Sequence, residues 1–409
     1  MCGEGDAYSL ADERDAPLQI QALASELSRV VPEFDAARYP SWDALFTSLE
    51  ARVERLNVVL DEFPYLVSSA PELPSVLQRH LDLPGPRRLR FVLCGSSQRM
   101  MQGLALDRSA PLFGRAQEII RLAPLKPGWI CDALGVRGAA AVEAWAVWGG
   151  VPRYWELASR YASLQESIRD LVLHRHGVLH DEPEGLLLDD MRSASQASSL
   201  LALVGAGCNR LSEIAARMGK PAGSLTRPLS NLIELGYLRK DTPFGEDERS
   251  SKRTLYRIDD PLLAFWFRFV QPARTLLQRD LLEPVEARLV EGFPQHCAEA
   301  WEVLARESVP RLGIGGTAWG PASRWWGSGP EGPREFDVVA ESLDGESVLI
   351  GEAKWATRPD VARWRGELRA RAAGAPFVRG RRILHALWVR QGASGDDIVT
   401  PDLVLAALR

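Results

Sequence analysis

Arg334-Glu335-Phe336-Asp337-Val338-Val339-Ala340-Glu341 and Ser347-Val348-Leu349-Ile350-Gly351-Glu352-Ala353-Lys354 read as two strands joined around Asp344-Gly345. Asp-Gly is a strong signal for a two-residue hairpin turn. If Leu343 pairs with Glu346, Asp337 faces Glu352. Lys354 then lies on the same face, opposite Glu335, because side chains alternate along a strand. Two carboxylates directly opposite repel, and a cation or a shared proton relieves the conflict. A divalent metal with oxygen ligands does so, with Mg2+ as the default. Lys354 beside it would orient a water or steady developing phosphate charge. The register decides this, since a bulge of one residue would send one acid to the other face. The bland alternative is a solvated amphipathic hairpin, for a D…ExK spacing alone recurs by accident.

Outward from the hairpin, a chain of 409 residues implies two to four domains. A hydrophobic share of 46% with 25% charged residues is that of an ordinary globular protein. The net charge of -5 argues against a surface coated in basic charge for nucleic acid, though it permits a local basic patch. Cys2, Cys94, Cys131, Cys208 and Cys297 are scattered, odd in number and never spaced as CxxC, which favours reduced thiols. No apolar run approaches the roughly 20 residues that span a bilayer, and the first residues lack a signal-peptide pattern. A cytoplasmic protein with no membrane partner is expected.

The fold class expected is α/β multidomain. Leu56–Leu60 and Leu89–Cys94 are short apolar runs of the kind buried in a parallel sheet, separated by helical patterns. Residues 193–258 read as a winged helix-turn-helix: helices Leu211–Met218 and Ser224–Leu235, then strands Tyr237–Arg239 and Thr254–Ile258 around a charged loop. Its second helix exposes Ser224, Thr226, Arg227, Ser230 and Asn231, able to meet phosphates or base edges. Lys240, Arg249, Lys252 and Arg253 of the wing would meet backbone, diluted by Asp241, Glu246, Asp247 and Glu248. Protein interaction is the alternative role. Arg363, Arg365, Arg369 and Arg371 stud the helix after the hairpin, as phosphate contacts or as a plain basic face. His174, His176 and His180 form the histidine cluster, and a surface or helix-end role is expected over metal binding. The tryptophans are expected in cores and interfaces.

Asp337 with Glu352-Ala353-Lys354 at this distance resembles the PD-(D/E)xK nuclease core, although Phe336 stands where that family carries proline. The resemblance implies another acid from the preceding helix His296–Glu307: Glu302, with Glu299 as rival. Leu56–Leu60 followed by Asp61-Glu62 resembles a Walker B strand. Val92–Ser97 resembles a sensor strand with Ser96 at its tip, and Pro111–Arg115 a segment whose Arg115 acts in nucleotide or subunit contacts. Gly149-Gly150-Val151-Pro152 resembles the lid of the archaeal-type ATPases of the AAA+/STAND group. Asp260-Pro261-Leu262-Leu263-Ala264-Phe265-Trp266 and Trp325-Trp326 continue that resemblance, which covers about residues 15 to 409.

It implies a partial AAA+ core over residues 1–125, a helical lid over 126–192, a winged helix over 193–260, a helical connector over 261–293 and a nuclease-like domain over 294–409. No GxxxxGK[ST] occurs, so the loop that cradles ATP phosphates is missing and ATP hydrolysis by this chain alone is not expected. The chain is expected to start downstream of that loop, as a shortened gene product or a degenerate non-ATPase. Loss of a neighbouring strand should bare the strand carrying Asp61. The reading implies a Mg2+-dependent nuclease acting on nucleic acid: Asp337 and Glu352 hold the metal, Lys354 positions water and Glu302 completes the acids. The alternative is a non-enzymatic DNA- or protein-binding regulator with vestigial folds. AAA+ resemblance also raises a homo-oligomer.

Overall fold

The computed structural model describes residues 6–105, 107–191, 193–247, 250–329, 332–378 and 380–409. Cys2, Glu248 and Arg249 therefore lie outside the described residues. Two compact units emerge: residues 1–122 with 189–192, and residues 123–188 with 193–409. The division after residue 122 lies close to the expected one at 125. Residues 123–188 and 193–409 share the second unit, while residues 189–192, expected at the end of a lid, group with the first.

The first unit is built on three parallel strands in the order β1 (Ala7–Leu10), β2 (Leu56–Asp61) and β3 (Leu89–Leu93). Parallel neighbours need crossovers, and helices Ala16–Leu27, Trp42–Arg52 and Leu73–Asp82 fall between the strands. Leu56, Val58 and Leu60 enter a core with Leu23, Leu45, Phe46 and Phe63. Asn57, Val59 and Asp61 remain part-exposed, so β2 is buried on one face rather than on both as expected. Nor is β2 bared along its edge: β1 and β3 flank it, and the exposed apolar side chains sit on those neighbours, Leu10 on β1 at 59% and Val92 on β3 at 48%. Ala7-Tyr8-Ser9-Leu10 is short and half polar, which hid it as a strand.

In the second unit, helices Ala194–Gly205, Leu211–Met218 and Ala222–Glu234 precede β4 (Leu238–Asp241) and β5 (Leu255–Ile258), paired antiparallel. These bounds match the expected winged helix closely. Gly219, in the left-handed region at φ 62°, ends the second of these helices. The expected division at residue 293 falls inside a single helix of 30 residues, Glu283–Leu312. Pro294 costs that helix one backbone bond, but Val285, Leu289, Cys297, Trp301 and Leu304 are buried along it and hold it through the proline.

The C-terminal sheet is mixed. Its order is β10 (Ile398–Val399), β9 (Arg382–Val389), β8 (Ser347–Lys354), β7 (Gly332–Glu341) and β6 (Ser323–Gly329). Strands β6, β7 and β8 pair antiparallel, and β8, β9 and β10 pair parallel. β8 is the strand covered on both faces, with residues 347–353 all buried. Val348 and Ile350 pack with Trp364 and Leu368 of helix Val361–Ala372. The long helix joins the sheet through tryptophan: Trp301 Nε1 donates to Trp388 O at 3.2 Å, and Trp388 Nε1 to Ser308 Oγ at 3.3 Å.

The expected hairpin register holds, with Val338 opposite Gly351 and Glu341 opposite Val348. Its turn is different. Ser342 N donates to Ser347 O at 3.0 Å, and Leu343 N donates instead to Ala318 O at 3.0 Å. Gly345 alone of the turn residues takes a positive φ, 77°, where a two-residue type I′ turn needs two. Asp344 Oδ1 accepts from Glu346 N at 3.0 Å and Ser342 Oγ at 2.5 Å, closing a longer loop in the same register.

Gly351 faces Trp388 so closely that a Cβ there would meet Trp388 Cζ3 at 2.4 Å and Ala386 O at 3.0 Å. Overpacking of this kind costs about 1–3 kcal/mol. Gly351→Ala should therefore unfold at lower denaturant concentration than wild type. An unchanged midpoint would contradict the packing described.

Candidate functional site

The acids of the C-terminal sheet are placed by a β-bulge. Ser323 pairs with Val339 and Trp325 with Phe336, so Asp337 and Val338 together stand opposite the single residue Arg324. Phe336 and Val339 consequently enter the same core, which strict alternation would forbid. The β7–β8 ladder is regular from Val338 to Glu341. Beyond it the Asp337 carboxylate substitutes for the backbone: Oδ2 accepts from Ala353 N at 2.9 Å. Lys354 thus gains no partner on β7. Glu335, its expected neighbour, forms an ion pair with Arg324.

Glu352 is 3% exposed, and both of its oxygens are engaged. Lys354 Nζ donates to Oε2 at 2.6 Å and Arg371 Nη2 to Oε1 at 2.6 Å. Burial pushes the Glu352 carboxyl above the usual range and the Asp337 charge adds to this, while Lys354 and Arg371 oppose it. Glu302 is raised in the same way, first by burial and then by Asp337, against Arg306, Arg324 and Arg257. Asp337 therefore lies within electrostatic reach of both glutamates. Glu299, the rival acid, is held by Arg268 at 3.1 Å instead.

Arginines complete the surroundings. Arg306, one turn after Glu302, donates to Asp337 O at 2.9 Å and stands 3.9 Å from the Glu302 carboxylate. Burial lowers its guanidinium to about 10, with Glu302 and Asp241 opposing. Arg371 also donates to Glu335 O at 3.2 Å and lies over the Phe336 ring. Of the expected basic helix face, Arg365 is committed to Asp397 at 2.6 Å and Arg363 to Glu367 at 3.2 Å, while Arg369 is exposed. Sequence reasoning passed over Arg306, Arg324 and Arg257. The one local signal was the four-residue spacing from Glu302 to Arg306.

On the helix-turn-helix, Arg227, Ser230 and Asn231 are exposed on the second helix of the motif, as is Lys252 in the wing. Ser224 and Thr226 are also exposed, but their hydroxyls donate back to Pro221 O at 2.7 Å and Ala222 O at 3.5 Å. Arg253 departs from expectation: it pairs with Glu246 and donates to Trp326 O at 2.9 Å, which ties the wing to β6.

In the first unit, Glu62 sits at φ 51°, a left-handed position between β2 and the helix that follows. Its Oε2 accepts from Ser96 Oγ at 3.1 Å, and Asp61 Oδ2 accepts from Tyr8 OH at 2.6 Å. Asp61, Glu62 and Ser96 are thus together, with Tyr8 on Asp61. Arg115 is not with them: its guanidinium is bound to Asp82 at 2.7 Å and to Pro111 O at 3.0 Å. His180 is buried, with Nδ1 2.8 Å from Val172 O, rather than at a surface. Among the described residues, no three His, Cys, Asp or Glu are arranged to hold a metal ion, and no helix is long and apolar enough to cross a membrane.

A raised carboxyl favours the fold below its unfolded value, and that contribution is lost as pH rises through the folded value. Glutamine does not titrate. Glu302→Gln should therefore melt higher than wild type by roughly 2–4 °C at pH 8, with the difference shrinking towards about pH 4. A difference constant across that range would refute the buried, charge-crowded placement of Glu302.

Residues 266–365, which include Glu302, Asp337, Glu352 and Lys354, match a family described as archaea bacterial proteins of unknown function. Residues 193–242 match the IclR helix-turn-helix domain. An uncharacterized protein of Methanocaldococcus jannaschii is 26% identical over 362 residues, covering 85% of this chain and 76% of that protein. Among solved structures, a Walker-type ATPase of Pyrococcus abyssi is similar at a TM-score of 0.48 and 18% identity, covering 64% of this chain and 84% of that one. The ORC2 protein of Aeropyrum pernix is similar at a TM-score of 0.40 and 17% identity, covering 68% of this chain and 81% of that one.

Proposed function

We propose that this chain acts on nucleic acid, its helix-turn-helix contacting the polymer and its C-terminal sheet hydrolysing phosphodiester bonds with Mg2+ in the manner of PD-(D/E)xK nucleases. The observation that carries the reading is the Asp337 bulge. It directs one carboxylate toward Glu352 and Glu302 in a buried setting, with Lys354 on the same cluster.

The donor chemistry, carboxylate oxygens, is that of a hard divalent cation, although no three acids among the described residues are arranged to hold one as they stand. Burial first and the Asp337 charge second raise both Glu302 and Glu352, and a cation beside Asp337 would relieve the second effect. Asp337 and Glu352 would hold Mg2+, with Glu302 completing the acids. The ion supplies charge neutralisation at the phosphate and a more acidic water. Lys354, whose side chain is 33% exposed, is the open member of the Glu352 pair and positions the attacking water. Arg371 holds the second Glu352 oxygen and fixes that carboxylate's orientation.

A second reading, a binding regulator without catalysis, draws on one specific observation: Lys354 and Arg371 already satisfy both Glu352 oxygens. Nicking of plasmid DNA, single strands and RNA by the full chain separates the two. The nuclease reading expects cleavage in Mg2+ that EDTA abolishes, and that Asp337→Ala and Lys354→Ala each reduce by about 100-fold or more. No cleavage of any substrate, or cleavage indifferent to both variants, would leave the regulator reading standing.

A further inference from the structure

Opposite the Asp337 bulge, Arg324 is 8% exposed. Its Nη2 serves Glu335 and its guanidinium lies 5.6 Å from the Trp326 ring centre. Nε and Nη1 are sealed from solvent without a hydrogen-bond partner. Arg257, on the wing strand β5, repeats the pattern: its Nε is buried and unbonded, with Asp241 Oδ2 at 3.5 Å and equally unmatched. Buried charged donors are costly to leave unmade.

Across from them stand Glu302 and Asp337, whose charges act on Arg324 and whose carboxylates form no described bond to it. Donors and acids thus face one another without meeting. A phosphodiester is anionic and supplies the acceptors that the arginines lack, while the facing acids oppose it. Its two non-bridging oxygens also match the guanidinium fork. A cavity of about 390 Å³ is lined in part by Arg257, Glu302 and Arg306, while Arg324 and Asp337 stand outside its lining.

The wing holds this arrangement in place. Phe244 N donates to Arg324 O at 2.9 Å, Arg253 Nη1 donates to Trp326 O at 2.9 Å, and the Phe244 ring packs edge-on against Phe377. The backbone at Arg324 and two residues beyond it is therefore fastened by the wing. We propose that Arg324 and Arg257 form a binding site for a backbone phosphate of nucleic acid, with the wing built into that site rather than acting as a free groove-reading arm. This rests on the reading of the chain as a nucleic-acid-binding protein, and it does not require that the chain cleave.

The test is binding by the full chain in EDTA, followed by fluorescence anisotropy against salt. The probes are a labelled duplex of about 20 base pairs, its single strand and the matching RNA. Arg324→Gln and Arg257→Gln should each weaken binding by about 5–20-fold and lower the salt slope by about 1. Glu302→Gln, which removes a facing negative charge, should tighten it. Wild-type affinity and slope in both arginine variants would overturn the site, as would failure of the wild type to bind any probe. Should Arg324→Gln show no cooperative melting, Arg257→Gln decides alone. A chain that binds as stated yet never nicks in Mg2+ loses the catalytic reading and keeps this site, and the converse result removes only the site.

Discussion

The C-terminal half of the molecule depends on a strand buried on both faces that carries a glutamate near its end. Seven consecutive residues of β8 are covered, and the sixth is Glu352. A carboxylate in such a place is tolerated only with compensating charge and hydrogen bonds. Lys354 supplies one cation from the end of the same strand, and Arg371 supplies the other from the helix packed over it. The bulge in β7 then brings Asp337 in where the ladder stops, and its carboxylate takes the hydrogen bond of Ala353. A regular ladder would have supplied a backbone carbonyl there and no extra charge. The cluster of acids and cations around Asp337 thus follows from the way one buried strand is finished.

From that point the ion network spreads through the unit. Arg306 reaches the bulge from the long helix, Arg324 faces it from β6, and Arg257 approaches from the wing. The wing in turn is fastened to β6 through Arg253 and Phe244. The helix-turn-helix and the acidic cluster are therefore joined through packed elements of one compact unit. Arg227, Ser230 and Asn231 are exposed, whereas Arg253, Arg365 and Arg371 are spent on internal pairs.

Much of this could be read from residue order. Alternation and the Asp344-Gly345 turn predicted the register of β7 on β8, which the structure keeps even though the turn itself is longer. The helix-turn-helix stood out through Gly219, Gly236 and the polar loop, and its limits moved by one or two residues. What stayed hidden depends on contacts distant in sequence. Pro294 looked like the start of a helix, while the apolar face that carries the helix through it is set by packing against the lid and sheet. The bulge at Asp337 has no local marker, because it is a relation between β7 and β6. Arg371 and Arg253 looked like phosphate ligands, but an arginine's partner is whatever acid or carbonyl the fold brings near it. Glu302 was singled out by resemblance, and the charge of Asp337 acts on it in the structure.

The central proposal is that Asp337 and Glu352, with Glu302 completing the acids, take up a cation once Lys354 and Arg371 release Glu352, since as they stand no three acids among the described residues are arranged to hold one. Calorimetric titration of the full chain with Mn2+, as a probe for Mg2+, addresses it directly and without any substrate. The account predicts saturable binding at one site, lost in Asp337→Asn. Absence of binding, or binding unchanged in Asp337→Asn, would show that the cluster is a closed internal ion network and contradict the account.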